Sequence, residues 1–225
     1  MRFGSLCFDF DSTIVSIETI DLACEISLKG RSDAEEILRE FKRLTVLGME
    51  GALPFDESLS RRMKLISLSR AHIKKIAKRM PEFITSSLLQ HREYLKRNAS
   101  KIYVVSGGFE ELIYPVTDFL GIIRSHVYAN AFVYDGDAIT GIDATRPTAK
   151  AGGKAAAIER AAAPRPRMIV GDGWTDYEIK SHGVADVFVA FVEHVARKTV
   201  IEKADFVARS FDELIEYIEH SPMKV

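Results

Sequence analysis

Two carboxylates two residues apart, Asp9-Phe10-Asp11, followed by Ser12-Thr13, close a short apolar run, Leu6-Cys7-Phe8. In an extended strand end, side chains two apart face the same way, so both acids can serve one site. One can attack phosphorus while the other handles the proton on the leaving oxygen. An acyl-phosphate on aspartate splits one hard step into two easier ones. The same spacing opens a calcium loop, but that loop needs Gly at its sixth position and Glu at its twelfth. Ile14 and Ile20 stand there instead.

Three further clusters suit an anion and a hard cation. Ser106-Gly107-Gly108 follows the run Ile102 to Val105. Glycines let backbone N–H groups approach an anion, and the Ser hydroxyl adds a donor, although the same tripeptide is often only a turn. Lys154 follows Gly152-Gly153 at an expected helix start, where a cation can meet phosphate, with Lys150 as a rival. Gly171-Asp172-Gly173-Trp174-Thr175-Asp176 follows Met168-Ile169-Val170. Two carboxylates four residues apart among glycines suit magnesium, which prefers oxygen ligands and keeps several waters. Asp176 can also cap the next helix, and Trp174 is bulky for such a loop.

These clusters must be brought together by the elements that carry them. Short apolar runs ending in polar residues read as strands buried on both faces. Val187-Phe188-Val189 and Asp205-Phe206-Val207 are two more. Helical patterns lie between them, over Ile84 to Arg97, over Phe109 to Leu120 with Pro115 expected to kink or shorten it, and over Lys154 to Ala163 before Pro164. Strands alternating with helices predict an α/β fold, a doubly wound, Rossmann-like parallel sheet. Ligands bind such sheets beyond the carboxyl ends of the strands, so the four clusters are expected to converge on one crevice. Two segments break the rhythm. Residues 15–81 are helical in pattern and predict a small cap domain inserted after the first strand, leaving 1–14 and 82–225 as the core. Phe132 to Ile142 alternates around Tyr134-Asp135-Gly136-Asp137 and predicts a β-hairpin.

The chain has 225 residues, 47% of them hydrophobic, and a formal net charge of -1, which suits a globular core and gives no field for nucleic acid. Cys7 and Cys24 are the only cysteines and are expected as free thiols. No apolar run approaches the roughly 20 residues of a membrane span. The expectation is a soluble, cytoplasmic chain with no membrane partner.

The four clusters, in this order, resemble the motifs of the haloacid dehalogenase superfamily. Glu18, Met49-Glu50-Gly51 and Phe55-x-x-Ser58-Leu59-x-x-Arg62 in the insert are similar to the cap of the phosphoserine phosphatases within it. The resemblance runs from about Leu6 to Tyr217. It implies Asp9 as nucleophile and magnesium ligand, and Asp11 as general acid and base with its backbone carbonyl on the metal. It implies Ser106 and Lys154 on the phosphoryl group, with Gly107, Gly108 and Thr175 along the substrate. Asp172 would bind Mg2+ directly, and Asp176 through water or Lys154. Glu18 and Arg62 would grip an amino acid between Met49 and Phe55. The implied partner is a small phosphorylated metabolite, O-phospho-L-serine in serine biosynthesis. The same chemistry on phosphoethanolamine or a sugar phosphate is the nearest alternative, and a non-catalytic module touching an acidic partner through Arg70, Lys74, Lys75, Lys78 and Arg79 is a more distant one. Monomer and homodimer both remain open.

Overall fold

The computed structural model describes residues 3–220. Its strands are β1 (Ser5–Phe8), β2 (Ile102–Phe109), β3 (Val127–Asn130), β4 (Phe132–Asp135), β5 (Ala138–Ile142), β6 (Arg167–Gly171), β7 (Val187–Phe191) and β8 (Phe206–Ala208). Six form one parallel sheet in the order β3-β2-β1-β6-β7-β8. The winding reverses between β1 and β6, and that switch point is where such a sheet opens a crevice for a ligand.

The apolar runs form strands because both of their faces are covered. Leu6, Val104, Met168 and Val170 pack into one cluster, while Cys7, Val105, Ile169 and Phe188 pack into the other. That alternation is the two-residue period of a strand read on two buried faces. Cys7 and Cys24 are free and buried, and burial pushes both thiols up to about 12.

Between β1 and β2 come α1 (Thr19–Ser27), α2 (Ala34–Met49), α3 (Phe55–Met63), α4 (Arg70–Ala77), α5 (Ser86–Gln90) and α6 (Arg92–Arg97). The first four bury Ala23, Cys24, Phe41, Leu44, Leu59, Ile73 and Ile76. The basic residues of the α4 region lie on its exposed side, the ordinary solvated face of an amphipathic helix. The hairpin β4–β5 forms as expected and reaches this layer. The Arg70 N–H donates to the Asp137 carbonyl at 2.7 Å, and the Ile139 N–H to the Leu68 carbonyl at 3.2 Å. The Arg70 guanidinium sits 3.8 Å over the Tyr134 ring.

Five local expectations change. The edge strand β3 has no counterpart in the reading above, because Val127-Tyr128-Ala129-Asn130 is too short and mixed to signal a strand. β2 runs on through Ser106-Gly107-Gly108 to Phe109 instead of ending before them. The helix expected over Ile84 to Arg97 is two helices parted at His91. There tertiary contacts outweigh local pattern: His91 Nε2 meets Asp212 Oδ1 at 2.8 Å, and Ser87 Oγ accepts the Phe211 N–H at 3.0 Å. Pro115 does not end its helix, and α7 (Glu110–Leu120) continues to bury Val116 and Leu120 on the sheet. α8 (Gly153–Arg160) stops three residues short, turning at Ala162 with φ of 50°. The later helices are α9 (Trp174–Ser181), α10 (Lys198–Ile201) and α11 (Phe211–His220). Among the described residues, no helix is long and apolar enough to cross a membrane.

Candidate active site

Register alone brings the acids together. Phe8 pairs with Val170, and the Asp9 N–H donates to the Val170 carbonyl at 2.8 Å. Asp9 therefore leaves β1 beside Gly171-Asp172 at the end of β6, and Ser106 lies two residues beyond Val104, the partner of Phe8 on the other side. Lys154, in the first turn of α8, lies beside them. Its Nζ lies 2.9 Å from Asp9 Oδ1 and 2.8 Å from Asp176 Oδ1. Lys150, the rival cation, is exposed.

Carboxylate oxygens of Asp9, Asp172 and Asp176 lie within 4.8 Å of one another, and all three residues are buried. Like charges this close and this dry are costly unless a cation stands among them. Lys154 offsets part of that cost. Burial nonetheless raises the Asp176 carboxyl to about 7, helped by the Asp9 charge and opposed by Lys154. On Lys154, burial pulls the other way, but Asp176 and Asp9 outweigh it and hold the ammonium protonated. Asp172 Oδ1 is buried with no hydrogen-bond partner. An orphaned carboxylate oxygen in an all-oxygen cluster fits a hard divalent cation.

The Asp11 carboxylate stands apart from this cluster, so only its backbone carbonyl is left for the metal role expected of it. Its Oδ1 accepts the Thr19 N–H at 2.8 Å, at the start of α1. Burial, with the charges of Glu18 and Asp9, raises its carboxyl well above the usual range. The turn between Asp9 and Val15 closes with the Val15 N–H on the Phe10 carbonyl at 3.0 Å, and it holds Ser12 at φ of 51°, a left-handed conformation that costs a non-glycine residue energy. That conformation aims the Ser12 hydroxyl at Glu18 Oε1, 2.8 Å away. A core loop thus fixes an acid of the helical layer.

A cavity of about 40 Å³ lies at this junction. It is lined by Asp9, Asp11, Glu18, Met49, Phe55, Arg62, Ser106, Gly107, Gly108, Lys154 and Thr175. Every expected site residue is there except Asp172 and Asp176, which pack behind Asp9 and Lys154. The helical layer is pressed against the core here. A Cβ on Gly107 would fall 2.4 Å from the Phe55 ring, one on Gly173 would fall 3.0 Å from the Met49 methyl, and one on Gly51 would fall 2.6 Å from the Trp174 indole. Trp174 does not line the cavity. It lies across the seam against the α2–α3 turn, with its edge on Tyr177 at 5.1 Å between centroids. A larger cavity of about 440 Å³, between α3 and β5, is lined by none of the expected site residues.

Two supports were not legible from the sequence. Arg197, in the loop after β7, pairs with Asp172 through Nη1 and reaches Glu18 at 3.8 Å, bridging the two halves of the site. Its position beyond the carboxyl end of a strand was the available signal, since all the core clusters share it. Asn130, fully buried at the end of β3, donates from Nδ2 to the Gly107 carbonyl at 2.8 Å and accepts the Thr148 hydroxyl at 2.8 Å. This pins the glycine loop beside Ser106, whose Oγ accepts the Gly108 N–H at 2.9 Å.

Fold and crevice together define a hydrolase of the doubly wound α/β class. Residues 6–179 match the haloacid dehalogenase-like hydrolase family, and the chain belongs to it. It is 31% identical over 220 residues to the human phosphoserine phosphatase, spanning 96% of this chain and 93% of the relative. A phosphoserine phosphohydrolase-like protein from Francisella tularensis superposes with a TM-score of 0.87 at 30% identity, covering 95% of this chain and 99% of the other. A phospho-aspartyl intermediate analogue of phosphoserine phosphatase superposes with a TM-score of 0.73 at 28% identity, covering 94% and 97%.

Proposed function

We propose that the chain is a magnesium-dependent phosphomonoesterase that hydrolyses O-phospho-L-serine through an aspartyl-phosphate on Asp9. The observation that carries this reading is the single crevice lined by Asp9, Asp11, Ser106 and Lys154 on one side and by Glu18 and Arg62 on the other. The names of the relatives support the substrate.

Asp9 attacks phosphorus in line. The bond from phosphorus to the serine oxygen breaks, and Asp11 delivers its proton to that oxygen. A buried carboxyl with raised proton affinity suits a donor near neutral pH. Asp11, now ionised, takes a proton from water as the water attacks the acyl-phosphate, and Asp9 is released with inorganic phosphate. Ser106 and Lys154 hold the phosphoryl oxygens as charge moves onto them. Asp9, Asp172, Asp176 and the Asp11 backbone carbonyl would hold Mg2+, which when bound neutralises phosphate charge and aligns it for displacement.

Glu18 faces the substrate ammonium, and Arg62 offers a fork to its carboxylate. Met49 and Phe55 form apolar walls, and Gly107, Gly108 and Thr175 complete the lining. Residues 15–81 serve as a cap over the core of 1–14 and 82–225, and the small cavity describes its closed state, which must open for substrate to enter.

Phosphate release across phosphoserine, phosphoethanolamine and a sugar phosphate, with Mg2+ or with a chelator, tests this. Phosphoserine should be turned over with the highest kcat/KM, and the chelator should abolish release. Asp9→Asn should lose roughly four orders of magnitude in turnover or more while melting like the parent. Wild-type turnover in that variant would remove Asp9 from its role, and equal rates on all three esters would remove phosphoserine.

A further inference from the structure

Arg62 is a charge in a dry place. It is 6% exposed, and its Nε is buried with no hydrogen-bond partner. The Phe41 ring lies beneath it, 5.7 Å from the guanidinium carbon. Among the described residues Arg62 makes one side-chain hydrogen bond, from Nη1 to Thr45 Oγ1 at 3.3 Å. Thr45 is itself 5% exposed. A threonine hydroxyl has one proton to give and can accept from another donor at the same time. Here it accepts from Arg62 and faces two acceptors, Asp21 Oδ1 at 2.9 Å and the Phe41 carbonyl at 3.2 Å. A carboxylate is the stronger acceptor and the nearer one. Asp21, Thr45 and Arg62 therefore form one hydrogen-bonded line across α1, α2 and α3.

Only Arg62 of the three lines the cavity. Asp21 and Thr45 do not line it, and stand behind the guanidinium along the same hydrogen-bonded line. With Nη1 tied back, Nε is left as an unpartnered donor, and a planar carboxylate is an anion shaped to pair with that edge of a guanidinium. Asp21 also supplies a negative charge behind the guanidinium, the leading charge that favours its ionised form against burial.

We infer that Asp21 and Thr45 are positioning residues that hold the Arg62 fork toward the substrate carboxylate and so set the preference for phosphomonoesters that carry one. The inference rests on the substrate reading above. A merely structural bond between α1 and α2 would make a different prediction: its loss would lower stability and affect every substrate alike.

The test compares phosphoserine with phosphoethanolamine, which lacks the carboxylate, in steady-state kinetics with Mg2+. Thr45→Val keeps the shape and removes the hydroxyl. It should raise KM for phosphoserine by roughly tenfold or more, the scale of one hydrogen bond to a charged group, with kcat within about twofold. KM for phosphoethanolamine should stay unchanged. Thr45→Ser should restore the phosphoserine KM, and Asp21→Leu, which removes the acceptor, should repeat the Thr45→Val pattern. Asp21→Leu also carries the test should Thr45→Val fail to fold. An unchanged phosphoserine KM in a folded variant, or equal shifts on both substrates, overturns the inference and leaves the substrate reading standing. A parent enzyme with no preference for phosphoserine overturns both.

Discussion

On the core side of the crevice, Asp9, Ser106 and Asp172 are set by strands whose register is fixed by neighbours on both sides, and Lys154 ties Asp9 to Asp176 at under 3 Å. On the helical side, Glu18, Met49, Phe55 and Arg62 stand at the ends and on the faces of α1, α2 and α3, and side chains carry much of the meeting with the core: Phe55 on Gly107, Met49 on Gly173, Trp174 on Gly51. The reacting group must be held to fractions of an ångström, and a buried parallel sheet does that. A substrate must also enter and leave, and a seam of side-chain contacts can part without unfolding anything. The contrast separates kcat from KM: core residues should act on the first, and helical residues on the second.

The largest effect that would break this division lies at Lys154. Lys154→Met removes the donor proposed for the phosphoryl group and leaves two buried carboxylates without their cation. Turnover should fall roughly 100- to 1,000-fold, and stability in urea titration should drop by about 3–5 kcal/mol. A variant that changed only KM would blur the two sides. The seam comes next. Gly107→Ala places a methyl on the Phe55 ring and should cost roughly tenfold in kcat/KM by holding the helices off the core. Adding Phe55→Ala should recover part of the loss. If the double variant is no better than Gly107→Ala, the defect is in the glycine loop and not in closure. The smallest effect is one of pH. Asp176 holds its proton in the folded chain up to about 7, against 3.8 ordinarily, so between those values the folded state binds more protons than the unfolded one. Stability of the chelator-treated protein should therefore decline as pH rises through that window, and Asp176→Asn should flatten the melting temperature against pH.

The same division governs what the sequence makes legible. Asp9, Ser106 and Asp172 each follow an apolar run, so once the runs are read as parallel strands, the carboxyl edge of the sheet collects them. No motif announces Arg197 or Asn130, and Arg197 has only its place beyond the end of β7 to mark it. Each matters through contacts with residues far along the chain, Asp172 and Gly107, and those contacts exist only once the sheet is ordered. β3 is missed for a related reason, since an edge strand of four residues takes its identity from β2 beside it. On the helical side, Glu18 and Arg62 can be found by resemblance, but the Thr45 bond between Arg62 and Asp21 follows from three helices packing in one particular way. The break at His91 shows packing overruling a pattern that reads as a single helix.

Trp174 is the only tryptophan in the chain. Because its indole rests on Gly51 across the seam, any parting of the two halves moves that ring from a protein surface into solvent. The molecule thus carries an intrinsic fluorophore on its own seam. If the helical layer opens as proposed, its emission should change in stopped-flow experiments without a label and without an engineered substitution.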